Sequence, residues 1–253
     1  MARVFVTGSA DGLGLMVGRL LVEQGHSVVL HARSEARAAD TRAALPAAEA
    51  VVVGDLSTLA AMRDVAAQAD ATGRFDAVVH NVGIGYREPR RVVTGDGLSQ
   101  LWAVNVLAPY VLTALMRRPD RLVYLSSGMH LGARSSLDDP QWERRRWNGS
   151  QAYAESKLHD LLLTFGVARR WPDVPSNAVS PGWVATRMGG WGAPDDPDEA
   201  HRTQVWLATA ENPGTGGYYY HRRPADLLPA TRDEVLQDRL LAICAEASRI
   251  ELD

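Results

Sequence analysis

Short apolar runs and amphipathic runs alternate along the whole chain, and few folds accept that pattern. Strand-like segments fall near residues 3–7, 27–32, 50–54, 76–80, 121–126, 175–179 and 217–220. Helical spacing of apolar residues fills the intervals near 12–24, 35–44, 58–70, 97–117, 150–170, 198–210 and 232–249. This alternation predicts an α/β doubly wound domain, with a parallel seven-stranded sheet and helices on both faces. Ligands of such sheets bind outside the carboxyl ends of the strands. At 253 residues the chain reads as one domain over 1–253, without internal repeat or linker.

The first unit is the most informative. Arg3-Val4-Phe5-Val6-Thr7 reads as a buried strand, and Leu13, Val17, Leu20 and Leu21 as the inward face of a helix. Between them stands Gly8-Ser9-Ala10-Asp11-Gly12-Leu13-Gly14. Strand, glycine-rich turn and helix form a phosphate cradle, because backbone N–H groups and the helix dipole face an anion. Gly8 would allow the turn, Gly12 the approach of a pyrophosphate, and Gly14 tight helix packing.

A second constellation lies far along the chain. Lys and Arg total 27, yet Lys157 is the only lysine. It follows Tyr153 by four residues, so on a helix the two share a face. A fixed cation beside a phenol favours the phenolate and lowers its pKa, which makes the tyrosine a usable general acid/base. A Tyr-x-x-x-Lys spacing alone is weak; it needs a cofactor site and a third polar partner.

Taken together, these residues resemble the short-chain dehydrogenase/reductase family over nearly the whole chain. Thr7-Gly8-x-x-x-Gly12-x-Gly14 matches the family's cofactor turn, here carried by Gly8, Ser9, Asp11, Gly12, Leu13 and Gly14. Asp55-Leu56 matches the pair that approaches the adenine. His80-Asn81-Val82-Gly83 matches the Asn-Asn-Ala-Gly turn, with His and Val in two of its places. Asn105 matches the active-site Asn, and Ser127 the catalytic Ser. Pro181, Gly182, Val184 and Thr186 lie in the segment that holds the nicotinamide.

The resemblance implies a Rossmann-type, NAD(P)-dependent oxidoreductase that interconverts a carbonyl and an alcohol. Tyr153 would move the proton, Ser127 hold the carbonyl oxygen, and Lys157 bind the nicotinamide ribose while tuning Tyr153. Asn105 would hold a water linked to Lys157. The strand end His31-Ala32-Arg33 has no carboxylate until Glu35. That favours NADP over NAD, with Arg33 facing the 2′-phosphate, although Arg33 also reads as a surface residue.

From Ser127 to Tyr153 is longer than in many family members, and the extra segment holds Met129, His130, Leu131, Trp142 and Trp147. With the tail Gly216-Gly217-Tyr218-Tyr219-Tyr220 it resembles the retinol-dehydrogenase-like branch. Segments 128–150 and 187–205 are therefore expected on the substrate side, covering a small to medium apolar carbonyl or alcohol. The alternative is a polar surface loop. A cofactor-binding regulator with little turnover is the competing function.

Net charge is −3 with a pI near 6.2, which offers no basic field for nucleic acid. The single Cys244 excludes a disulfide framework, and the histidines show no metal-ligand spacing, so no metal is expected. No apolar run reaches the roughly 18 residues of a membrane span. The first strand begins near residue 3, so the expectation is cytoplasmic. Relatives often pair through helices equivalent to 97–117 and 150–170, which leaves a homo-oligomer open.

Overall fold

The computed structural model describes residues 1–186 and 188–253. Its first half runs β1 (Arg3–Val6), α1 (Gly12–Glu23), β2 (Ser27–Ala32), α2 (Glu35–Ala44), β3 (Ala50–Val53), α3 (Leu59–Ala71) and β4 (Ala77–His80). The second half follows with α4 (Gln100–Trp102), α5 (Ala108–Leu115), β5 (Arg121–Leu125), α6 (Gly149–Arg170), β6 (Ser176–Ser180) and α7 (Pro197–Thr209). It ends with β7 (Tyr218–Tyr220), β8 (Arg223–Pro224) and α8 (Glu234–Ser248). One sheet has the order β3-β2-β1-β4-β5-β6-β7-β8.

Seven parallel strands lie where the alternation predicts them. The eighth is a correction: β8 pairs antiparallel with β7 through Tyr219–Pro224 and Tyr220–Arg223. His221 and Arg222, at φ +48° and +61°, form the turn between them. Two left-handed residues suit a two-residue hairpin. A two-residue strand that contains a proline is too short to leave a periodic signal.

Successive residues of a strand point to opposite faces, and β1 shows why both faces need helices. Phe5 joins a core with Met62 of α3, Leu112 of α5, Leu161 of α6 and Leu241 of α8. Val4 and Val6 join a second core with Val17 and Leu21 of α1 and Val205 of α7. Because β1 lies between β2 and β4, the connections diverge there, and a crevice opens at the strands' carboxyl ends.

The helix expected over 97–117 is not continuous. It starts at Gln100, widens into a π-turn over Ala103–Leu107, and resumes as α5. Pro109 supplies the reason. It has no N–H to return to the carbonyl four residues earlier, which is that of Asn105. Asn105 therefore sits at the loosened point of the helix. Among the described residues no helix is long and apolar enough to cross a membrane.

Candidate active site

A cleft of about 1180 Å³ opens at the carboxyl ends of the strands. Gly8, Asp11, Gly12, Leu13, Gly14, Arg33, Asn81, Val82 and Gly83 line one part of it. Ser127, Tyr153, Lys157, Pro181, Gly182, Val184 and Thr186 line the rest. Four expected residues stand outside its lining: Ser9, Asp55, Leu56 and Asn105. Leu56 is core, and Asp55 caps the backbone N–H of Ser57 at 3.1 Å.

The glycine turn is built around close backbone approach. Gly8 has φ +61°, and a Cβ there would lie 2.8 Å from Val82 Cα. A Cβ on Gly14 would lie 2.5 Å from both Asn81 Nδ2 and the Gly8 carbonyl oxygen. Buried polar side chains hold the turn from behind. The Ser9 hydroxyl donates to Val6 O at 2.7 Å and accepts from His31 N at 2.8 Å. Asn81 Nδ2 donates to the carbonyls of Thr7 and Gly8 at 3.0 and 3.1 Å. His31 bridges two loops: the Gly8 N–H donates to Nδ1 at 3.0 Å, and Nε2 faces Gly54 O at 2.9 Å. An accepting Nδ1 assigns the proton to Nε2. Burial holds His31 below its usual pKa, with Gly54 and Asp55 opposing.

At the outer end of this half, Arg33 is exposed and faces the cleft. Arg37 lies beside it and pairs with Asp11 and Asp40. The acidic residue inside the glycine turn is therefore balanced by a guanidinium. Sequence reasoning missed His31 and Arg37. His31 lies within β2, and Arg37 stands in the first turn of α2, four residues after Arg33.

The catalytic candidates gather at the cleft floor. Tyr153 and Lys157 share one face of α6, where every residue from Ala152 to Val167 is buried. Lys157 Nζ lies 5.6 Å from the Tyr153 ring centre. It donates to Leu125 O and to Asp160 Oδ2, each at 2.8 Å. Ser127 stands two residues beyond the end of β5, and its Oγ accepts from Met129 N at 3.2 Å. His130 fixes this corner: Nε2 accepts from Leu228 N at 3.3 Å, leaving Nδ1 to donate to Ser127 O at 2.7 Å. Asn105 lies behind the floor. Its Oδ1 accepts from Ile84 N at 2.8 Å, and Nδ2 donates to Ile84 O and Ser156 Oγ at 3.1 and 3.0 Å.

The electrostatics differ from the simple expectation. Burial is the largest influence on Tyr153 and raises its pKa above the ordinary value. Lys157 pulls it down and Asp160 pushes it back up, with Ser127 favouring the phenolate. Asp160 and Tyr153 keep Lys157 protonated against the cost of burial. The Asp160 carboxyl itself is pushed up by burial to about 7, against the pull of Lys157. Asp160 was missed although it stands at i+3 from Lys157 on the same helix.

The long insertion corrects another expectation. Trp142 and Trp147 do not line the cleft. They pack edge to face at 5.8 Å, and the Arg145 guanidinium sits 3.9 Å from the Trp142 ring centre. Arg145 bonds Asp139 and buried Glu155, and Trp142 Nε1 donates to Glu155 at 3.0 Å. The bulk of 133–148 is thus anchored to the rest of the fold, through Glu155 of α6, Glu88 O and Ser99 N, with Trp142 and Trp147 packed in the apolar cluster behind Tyr153, and only Gly128, Met129 and Leu131 from the insertion reach the cleft. On the opposite rim, residue 187 lies outside the described residues. Met188, Gly189 and Asp195 face the cleft, while Pro197 already begins α7. The Tyr153 hydroxyl donates to Met188 Sδ at 3.9 Å.

The sequence pattern of the short chain dehydrogenase family matches residues 2–192. The chain belongs to that family. Like its members it is an oxidoreductase of CH–OH and C=O groups and binds a nicotinamide cofactor. An oxidoreductase of Emericella nidulans is 41% identical, covering 99% of this chain and 98% of that protein. Retinol dehydrogenase 13 of Homo sapiens is 29% identical, covering 98% and 85%. A crystal structure of a Mycobacterium paratuberculosis protein superposes with a TM-score of 0.85 at 26% identity, over 100% of this chain and 95% of that one.

The residues of this short-chain dehydrogenase fit a dinucleotide. A Cβ on Gly12 would project into the open cleft, meeting only Thr186 Cγ2 at 4.0 Å. One on Gly83 would stand 3.8 Å from Lys157 Nζ, in the space above the cleft floor. Among the described residues no side chain hydrogen-bonds the first turn of α1 as a cap, and Asn81 Oδ1 is buried without a partner. Such groups suit an anionic, hydroxyl-bearing ligand.

Proposed function

We propose that the protein is an NADP-dependent carbonyl reductase/alcohol dehydrogenase with Tyr153 as general acid/base. The observation that carries this is the meeting of Tyr153, Lys157 and Ser127 on one cleft floor, continuous with an open glycine cradle. Bound NADPH would supply the hydride. The substrate's carbonyl carbon accepts it while the Tyr153 hydroxyl gives its proton to the carbonyl oxygen. Ser127 donates a hydrogen bond to that oxygen and holds it against Tyr153. Lys157 offers the ribose the N–H left over from Leu125 and Asp160. The main-chain carbonyl of Asn105, whose i+4 N–H is missing at Pro109, would accept a water linked to Lys157.

Arg33 supports the choice of NADP, since it is an exposed cation at the end of β2. An apolar substrate is supported by the rim, where Ile84, Tyr86, Met129, Leu131, Met188 and Tyr218 face the cleft. NADPH and NADH oxidation assayed against a panel of aldehydes and ketones, and NADP reduction against secondary alcohols, tests the assignment. Turnover that favours NADPH and rises with alkyl length is expected. Each buried CH₂ adds about 0.8 kcal/mol. A preference for NADH, or for charged substrates, contradicts it.

A further inference from the structure

The lone lysine is not free to act on the tyrosine alone. Its ammonium lies 2.8 Å from Asp160 Oδ2, and both side chains are 3% exposed. The Tyr153 ring centre is twice as far from it, at 5.6 Å. Charges in a low-dielectric interior act strongly on one another, so a carboxylate this close to the ammonium cancels part of the positive field that reaches the phenol. Two of the three ammonium hydrogens are committed, to Leu125 O and Asp160, which fixes where the charge sits. The other titratable groups that couple to Asp160 are Tyr124 of β5 and Cys244 of α8, both held neutral by burial, while Tyr86 and Tyr218 couple to Tyr153.

From this geometry we infer that Asp160 is a positioning residue which offsets the charge of Lys157, keeps Tyr153 protonated from neutral pH upward, and biases the site toward carbonyl reduction. The inference rests on the acid/base reading of Tyr153. Reduction needs a phenol that can give a proton to the alkoxide as hydride reaches the carbon. Alcohol oxidation needs a phenolate that can take one. A carboxylate against the lysine favours the first state. The direction of the Tyr153 shift agrees, with burial and Asp160 outweighing Lys157.

The test is the ionisation of Tyr153 in the cofactor-free protein. It is read as the tyrosinate absorbance of the wild type minus that of Tyr153→Phe, across pH. In the wild type Tyr153 should ionise above the roughly 10 of free tyrosine. In Asp160→Asn, which keeps the shape and an acceptor for Lys157, the midpoint should fall by about one unit or more, a tenfold gain in phenolate. The pH limb of secondary-alcohol oxidation with NADP should move to lower pH by the same amount. Asp160→Glu should restore the wild-type midpoint. An unmoved midpoint in Asp160→Asn overturns the inference. If that variant does not fold, a wild-type Tyr153 that already ionises near neutrality overturns it too. Full turnover by Tyr153→Phe would instead remove the underlying acid/base reading.

Discussion

The two walls of the cleft are made by different means. The wall formed by β1, β2 and β4 is shaped by backbone, with glycines where a Cβ would collide and buried side chains tying one loop to another. The side chains of Ser9, His31, Thr7 and Asn81 each bond main-chain atoms of a neighbouring segment. The wall formed by residues 128–131, 183–186, 188–196 and 218–226 is shaped by side chains. Met129 and Leu131 are 37% and 48% exposed, and Trp183 is 53% exposed. A backbone-shaped wall accepts one kind of ligand, whereas a side-chain rim can be refitted by substitution. The contrast explains how one scaffold keeps its cofactor and changes its substrate.

The sharpest challenge to that contrast is Gly14→Ala. A Cβ 2.5 Å from the Gly8 carbonyl oxygen and Asn81 cannot be accommodated without moving the turn. NADPH affinity, measured by cofactor fluorescence, should fall at least about 100-fold, with an overpacking cost of about 1–3 kcal/mol in the thermal melt. Near wild-type affinity would show that the turn is not backbone-limited.

Next in size is Arg33→Ala. A charge-assisted hydrogen bond is worth about 1.5–3 kcal/mol, so NADPH should weaken roughly 10- to 150-fold. NADH should be nearly unaffected, and equal losses would remove Arg33 as the discriminator.

His31 gives a smaller, pH-dependent effect. Its depressed folded pKa means that its contribution is present above the unfolded value of about 6.5 and is lost as pH falls through the folded one. Protonation sets an N–H against the Gly8 N–H, so NADPH affinity should hold through the ordinary histidine range and weaken only at lower pH, as the depressed folded pKa is reached. His31→Gln should flatten that acid limb and cost about threefold to tenfold at neutral pH, the loss of one neutral hydrogen bond. An unchanged limb would exclude His31 as the strut.

The smallest effect belongs to the other wall. Met129→Ala should raise the KM of an apolar ketone about two- to fourfold, near 0.8 kcal/mol of lost burial, and leave NADPH affinity alone. A change in cofactor affinity would erase the distinction between the walls.

The same contrast governs what the sequence reveals. Gly8, Gly12, Gly14 and Asn81 are legible because a backbone role admits few residue types at fixed spacing. Seven strands were legible because the alternation is long and regular. The π-turn at Asn105 was readable in principle, since Pro109 stands within the expected helix. Burial was not readable: an Arg-rich insertion gave no sign that Trp142 would lock under Arg145 rather than face a substrate. Nor did Tyr-x-x-x-Lys reveal how far desolvation would oppose the lysine.

The central claim is that Tyr153 moves the proton, and Tyr153→Phe tests it most directly. The ring and its edge contact with Tyr86 at 5.6 Å remain, while the hydroxyl is removed. With NADPH and a ketone turned over by the wild type, kcat should fall about 10²–10⁴-fold, the usual contribution of a general acid. NADPH affinity should stay within about twofold. Wild-type kcat in that variant would contradict the account.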